Sequence, residues 1–197
     1  LVGGNLRAIL TEEEGKTIQY WDLKTQEIIG TIDITAEETN VPLFGNEAEG
    51  CVIDDENEHI IISREGMRGI LNAYDANTLE FIKVIDSRSG NIGGDPEGVT
   101  VYKTTDKEGF IIVSSQGDSK FNLYNRQFPF DYIRSFTVND VTDTDGIDVT
   151  NKSIDGLFPQ GFLVVQDGYN SPDNQNFKIV DMDQVLKKKV MNPGSTD

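Results

Sequence analysis

The stretch Glu47-Ala48-Glu49-Gly50-Cys51-Val52-Ile53-Asp54-Asp55-Glu56-Asn57-Glu58-His59-Ile60-Ile61-Ile62-Ser63-Arg64-Glu65-Gly66 holds two short apolar runs, an acidic turn between them and a carboxylate directly before a glycine. Apolar runs of this length, bounded by turn residues, read as strands. The pattern returns downstream. Glu49-Gly50, Glu97-Gly98 and Asp145-Gly146 set their acids 48 apart (97 − 49 and 145 − 97). Gly15, Gly66, Gly117 and Gly168 keep a second beat of 51 (66 − 15, 117 − 66 and 168 − 117). A period of about 40–50 residues made of short strands is the mark of a β-propeller blade. Equivalent positions in successive blades are related by rotation about one axis, so the repeated acids are expected at one channel mouth.

Outward from that stretch, the second unit continues with strands over Ile70 to Asp75 and Glu80 to Ile85. The third unit predicts strands at Gly98 to Tyr102, Gly109 to Ser114, Phe121 to Tyr124 and Tyr132 to Val138, and the fourth at Gly146 to Val149, Gly161 to Val165 and Phe177 to Val180. The hairpins Trp21-Asp22-Leu23-Lys24-Thr25-Gln26-Glu27 and Tyr74-Asp75-Ala76-Asn77-Thr78-Leu79-Glu80 repeat an aromatic, an aspartate and a Thr-x-Glu at matching offsets. The expected fold is all-β, a propeller of four-stranded blades. Counting 48 back from Glu49 reaches Leu1, so the first unit begins after its inner strand, and the fourth ends in a short helix over Asp181 to Val190 whose closing lysines suit the helix dipole. Residues 1–197 therefore read as one incomplete propeller domain of roughly three and a half to four blades, the missing blades coming from upstream sequence or another chain.

With 17 basic and 34 acidic residues the chain carries a formal charge of −17, which argues against nucleic acid as a partner. No apolar run reaches the roughly 18 residues of a membrane span. The start at Leu1-Val2-Gly3 shows neither an initiator Met nor a leader, as in a processed or partial chain. The single cysteine, Cys51, excludes an internal disulfide and reads as a small buried side chain, while the single histidine, His59, gives no basis for a His-dependent nucleophile.

The chemistry concentrates in Glu47-Ala48-Glu49-Gly50, Asp95-Pro96-Glu97-Gly98 and Asp143-Thr144-Asp145-Gly146-Ile147-Asp148, each ahead of an inner strand. The ends of the second strands add Arg64-Glu65, Gln116 and Gln166-Asp167. Oxygen donors without His or Cys favour Ca²⁺ over zinc or copper. Acids before glycine also form ordinary turns, but three in phase point to metal binding. Arg64 and Arg68 are candidate anion-binding cations at the rim, or solvated turn residues, and Tyr102 and Tyr124 follow strand periodicity as packing residues.

Glu49-Gly50-Cys51-Val52, Asp95-x-Glu97-Gly98, Ser114-Ser115-Gln116-Gly117, Asp143-Thr144-Asp145-Gly146-Ile147-Asp148, Gln166-Asp167-Gly168 and Asn174-Gln175-Asn176-Phe177-Lys178 together resemble the β-propeller phytases, densely over about residues 45 to 182. The resemblance implies a six-bladed, typically secreted or periplasmic enzyme. It implies calcium-dependent hydrolysis of phosphate from inositol hexakisphosphate by metal-activated water in the channel. It implies several Ca²⁺ ions on Glu49, Glu65, Asp95, Glu97 and Asp148, with Glu49, Glu65, Glu97 and Asp148 as the catalytic set; Arg64 and Arg68 are assigned toward substrate by their position alone, the family's own phosphate-binding cations lying in earlier blades. Asn170 and Asn176 fall in the segment that helps bind structural calcium, with Asp143 or Asp145 as companion. Glu13 stands where the family carries a phosphate-binding lysine. The alternatives are a calcium-stabilised propeller that binds without cleaving, and a metal-dependent lactonase of propeller form.

Overall fold

A computed structural model describes residues 6–11, 15–35, 47–154 and 156–187. They form four antiparallel sheets met in chain order. The first is β1 (Arg7–Leu10), β2 (Thr17–Asp22) and β3 (Glu27–Asp33). The second is β4 (Ala48–Asp54), β5 (His59–Arg64), β6 (Ile70–Asp75) and β7 (Phe81–Ser87). The third is β8 (Asp95–Lys103), β9 (Gly109–Gln116), β10 (Lys120–Asn125) and β11 (Tyr132–Phe136). The fourth is β12 (Ile147–Thr150), β13 (Phe162–Asp167) and β14 (Asn176–Asp181). Each sheet is a meander whose sequence neighbours are spatial neighbours, the arrangement of consecutive propeller blades. Among the described residues two of the sheets have four strands and two, the first and the fourth, have three.

The apolar runs are continuous because the middle strands are buried on both faces. On β5, Ile60 and Ile62 pack with Ile18, Tyr20 and Ile32 of the first sheet, whereas Ile61 turns the other way to Val99, Ile111 and Val113 of the third. On β9, Ile112 faces oppositely again, joining Leu163 and Val165 of the fourth. Tyr102 and Tyr124 lie in these layers, as expected of packing residues. The second face of β14 is uncovered among the described residues, and Phe177 and Ile179 are exposed there.

Two glycines explain why an acid-glycine pair recurs. A Cβ on Gly50 would lie 2.3 Å from the Glu97 carbonyl oxygen, and one on Gly98 would lie 2.5 Å from that of Asp145. Neighbouring inner strands approach too closely there for any side chain. Gly98 N–H donates to Asp145 O at 2.8 Å. Two buried serines 51 apart (114 − 63) tie the same seams: Ser63 Oγ donates to the carbonyls of Gly50 and Glu97, and Ser114 Oγ to those of Gly98 and Asp145.

The closing helix is shorter than expected. It runs Met182–Leu186, with the Asp181 side chain capping Asp183 N–H at 2.9 Å. Lys187 is its C-cap, so no lysine occupies its last turn, and Lys188 and Lys189 lie outside the described residues. Met182 and Val185 bury themselves in the third core layer, so packing rather than the dipole anchors this turn.

Candidate metal centre at the channel rim

Glu49, Asp95 and Glu97 enter the mouth from the first residues of β4 and β8, whereas Glu47 immediately precedes β4 and Asp145 lies in the loop ahead of β12. Both strands are bulged where the acids sit, between Ala48 and Gly50 and between Pro96 and Val99. A bulge adds a residue without breaking the strand and re-aims side chains. Glu65 follows β5 directly, its N–H bonded to Glu47 O at 3.1 Å, so the second blade presents acids from two neighbouring strands.

Glu47, Glu49 and Glu65 each offer a carboxylate oxygen within 4.8 Å of the others. Glu97, only 7% exposed, is pushed up to about 8, first by burial and then by the negative charges of Glu49, Glu65, Asp145 and Asp95. Burial, then Glu49, Asp95 and Glu47, likewise raises Glu65, with Arg88 opposing. Carboxylates from two blades therefore share one field, and each makes it costlier for the next to ionise. An oxygen-only donor set under mutual repulsion fits a hard divalent cation such as Ca²⁺.

Asp145 belongs to the same mouth: Gln116 Nε2 donates to its carboxylate, and its backbone N–H donates to Gln166 Oε1 at 2.8 Å. Asp148, exposed on β12, is placed through Thr100, whose hydroxyl donates to its Oδ1 at 3.2 Å. Asp95 is paired with the Arg88 guanidinium.

The other predicted ligands lie around the end of β13 and the loop that follows it. A Cβ on Gly168 would meet Asp143 O at 2.1 Å, which seats Asp143 against the end of β13. Asn176 pairs with Asp167 across β13 and β14, and its Oδ1 is buried without a hydrogen-bond partner. Asn170 Nδ2 donates to Asn174 O at 2.9 Å in the intervening loop. Asp143 thus sits against β13, whereas Asp145, two residues on, bonds to Gln116 and Gln166.

Arg64 differs most from expectation. It is not a solvated turn residue but is 1% exposed, with Nη1 donating to Ile34 O at 2.5 Å, because its position at the end of β5 faces the seam with the first sheet. Arg68 is exposed in the turn after β5. The pattern of acids before glycines did not single out Glu47 as a ligand, although it shares their segment, and Arg88 carried no repeat signal at all. Glu13 and Glu14 lie outside the described residues.

With these acids in place the comparisons are decisive. The family profile described as Phytase matches residues 2–193. The chain belongs to the phytase family. It is 31% identical over 198 residues to the 3-phytase of Bacillus subtilis (strain 168), an alignment covering 93% of this chain and 50% of that protein. The chain thus spans about half the length of the curated relative it matches. Among solved structures, the RRP9 WD40 repeats superpose with a TM-score of 0.54 at 10% identity, covering 87% of this phytase-family chain and 47% of theirs. The structure of U3-55K gives 0.53, also at 10% identity, with the same coverage. At that identity the likeness is one of fold, and it is a propeller fold.

Proposed function

We propose that the phytase-family protein to which this chain belongs hydrolyses phosphomonoesters of inositol hexakisphosphate in a calcium-dependent reaction at the rim of its propeller channel. The observation that carries this reading is the convergence of Glu47, Glu49 and Glu65 from one blade with the buried Glu97 of the next. A densely anionic substrate would be rejected by such a cluster alone. Cations held by these carboxylates would supply the positive charge that such a substrate needs and the acidity that activates water.

The residues divide the work. Glu47, Glu49, Glu65 and Glu97 would hold cations, with Asp95 and Asp145 at the edge of the same field. Gln116 orients the Asp145 carboxylate, and Ser63 and Ser114 fix the backbone of Glu97 and Asp145 across the seams. Asp148 would accept a proton or a cation at the Thr100 side. Asp143, Asn170 and Asn176 suit a separate, structural cation, Asn176 Oδ1 being an unsatisfied buried acceptor. Secretion or periplasmic export would suit a substrate met outside the cell.

Phosphate release from calcium phytate by the intact protein, with and without chelator, tests the reading. Glu49→Gln and Glu97→Gln should each lower kcat/KM by at least about 100-fold if they hold the catalytic cation. Release that persists in excess chelator would overturn it. The second reading, a calcium-stabilised propeller that binds without cleaving, is favoured by Glu13 in place of the family lysine. Calcium-dependent phytate binding with no phosphate released would establish that one instead.

A further inference from the structure

Beside the carboxylate rim the second blade carries a shallow cavity of about 300 Å³ lined by Met67, Arg68, Ser87, Arg88 and Ser89. Its two walls are the turn after β5 and the end of β7, and the backbone joins them: Arg88 N–H donates to Arg68 O at 2.7 Å and to Gly69 O at 2.9 Å. Gly69 has φ +45°, and a Cβ there would lie 3.3 Å from Arg88 Nε, so the bare glycine is what lets the Arg88 side chain lie across the turn. The hydroxyls of Ser87 and Ser89 sit 2.9 Å apart. Two arginines and two serines thus line one hollow, and guanidinium and hydroxyl donors are oxyanion chemistry.

Arg88 also has a second allegiance. Its Nη2 pairs with Asp95, both side chains about a third exposed (38% and 34%), and its charge opposes the repulsion on Glu65. An exposed pair of this kind is weak and exchangeable. A divalent cation arriving among Asp95, Glu65 and Glu97 would replace the very charge that Arg88 supplies.

Resting on the reading above, we propose that Arg88 is an exchangeable counter-ion: it neutralises Asp95 until a divalent cation takes that carboxylate, and then turns with Arg68 and the hydroxyls of Ser87 and Ser89 to hold a neighbouring oxyanion of a polyphosphorylated ligand. Cation loading thereby builds the anion subsite as well as the cation site. No bond is made or broken in this exchange.

The test is calorimetry on the intact protein with two probes, calcium alone and the non-hydrolysable inositol hexakissulfate. At saturating calcium, Arg88→Gln should weaken hexakissulfate binding about tenfold and Arg68→Gln severalfold, as expected for loss of charge-assisted bonds. In chelator, Arg88→Gln should leave hexakissulfate binding within twofold of the parent, because Arg88 is then engaged by Asp95. Calcium affinity of Arg88→Gln should be unchanged or higher, since a competitor has gone. Arg88→Lys, which keeps the charge and loses the planar fork, should fall between parent and Arg88→Gln. Hexakissulfate affinity that ignores Arg88 at saturating calcium overturns the proposal, and so does an Arg88→Gln protein that loses calcium affinity. If the protein releases no phosphate from phytate yet shows this pattern, the hydrolase reading fails and the subsite stands.

Discussion

Strand β4 carries acids toward both ends, and the two ends treat them oppositely. At the rim Glu47, Glu49, Glu65 and Glu97 face one another, and Glu97 is pushed up to about 8 by burial and by their charge. At the far end Asp54, 1% exposed, is gripped by the fully buried Arg126 through Nε and Nη2, and Glu56 is held by Arg126 and Lys103. Arg126 also donates to the carbonyls of Thr105 and Glu108, which leaves little of its fork unsatisfied. The same fold can therefore neutralise an acid internally when stability is the only requirement. Where acids crowd one another instead, as Glu97 and Glu65 do at the rim, an external cation is the natural complement.

The largest effect should come from the neutralised end. Arg126→Met leaves Asp54 buried without its partner, and removing one member of a buried pair costs about 3–5 kcal/mol. Denaturant unfolding of the calcium-loaded protein measures it. The companion change Asp54→Asn with Arg126→Met should recover much of that loss. If Arg126→Met proves nearly neutral, the far end is not the internally balanced region it looks to be.

Next come the seams that hold the two blades in phase. Gly50→Ala and Gly98→Ala would each drive a methyl into a neighbouring carbonyl, at 2.3 and 2.5 Å, and should cost about 1–3 kcal/mol. Gly146→Ala, the same position one blade on, meets nothing within 4 Å and should be close to neutral. Equal losses at all three would mean that the glycines serve backbone conformation rather than close approach. Calcium affinity should fall with the first two, since Glu97 and Asp145 ride on the displaced carbonyls.

Much of this was legible in the sequence, and for a physical reason. A repeat writes its rotation axis into its period, so the spacing of Glu49, Glu97 and Asp145 predicted which residues meet before any contact was known. The strands of the second blade, with apolar runs between polar turns, were equally readable. What escaped were features that depend on two different blades at unmatched positions. Asp54 reads as a turn residue, and nothing local reveals that Arg126, 72 residues away, lies against it. Arg64 reads as a rim cation or a solvated turn residue because it precedes a turn, yet its strand end faces the first sheet. Arg88 belongs to a loop outside the repeat, which Asp86 organises by accepting from Ser87 N–H, Asn91 and the Tyr124 hydroxyl.

The crowded rim predicts a pH dependence with a definite sign. Glu97 in the folded, cation-free protein titrates near 8, against an ordinary glutamate value of 4.5. Between those values the folded state keeps a proton that the unfolded state has released. In chelator, stability should therefore be full below about pH 4.5 and fall as pH rises to about 8, with a slope approaching 1.4 kcal/mol per pH unit per proton. Glu65, raised in the same direction, adds to the slope. Saturating calcium should flatten the curve, and Glu97→Gln should flatten it in chelator. A rim whose stability rose with pH in chelator would be balanced from within, like the far end.

The smallest effect separates a ligand from a bystander. Glu47 completes the three-carboxylate group but sits at the outer end of the acidic segment, just before the bulge in β4. Glu47→Gln keeps shape and one oxygen donor while removing a charge, so calcium affinity should drop by roughly 10-fold, with little change in melting temperature in chelator. Calcium titrations of Glu47→Gln and Glu56→Gln, side by side, make the contrast direct. Glu56 lies in the balanced cluster with Arg126 and Lys103, and its loss should leave calcium affinity untouched while costing up to about 1 kcal/mol of stability. If the two variants lost calcium affinity alike, the affinity would follow the overall negative charge of the chain, and the distinction between the two ends of the strands would disappear.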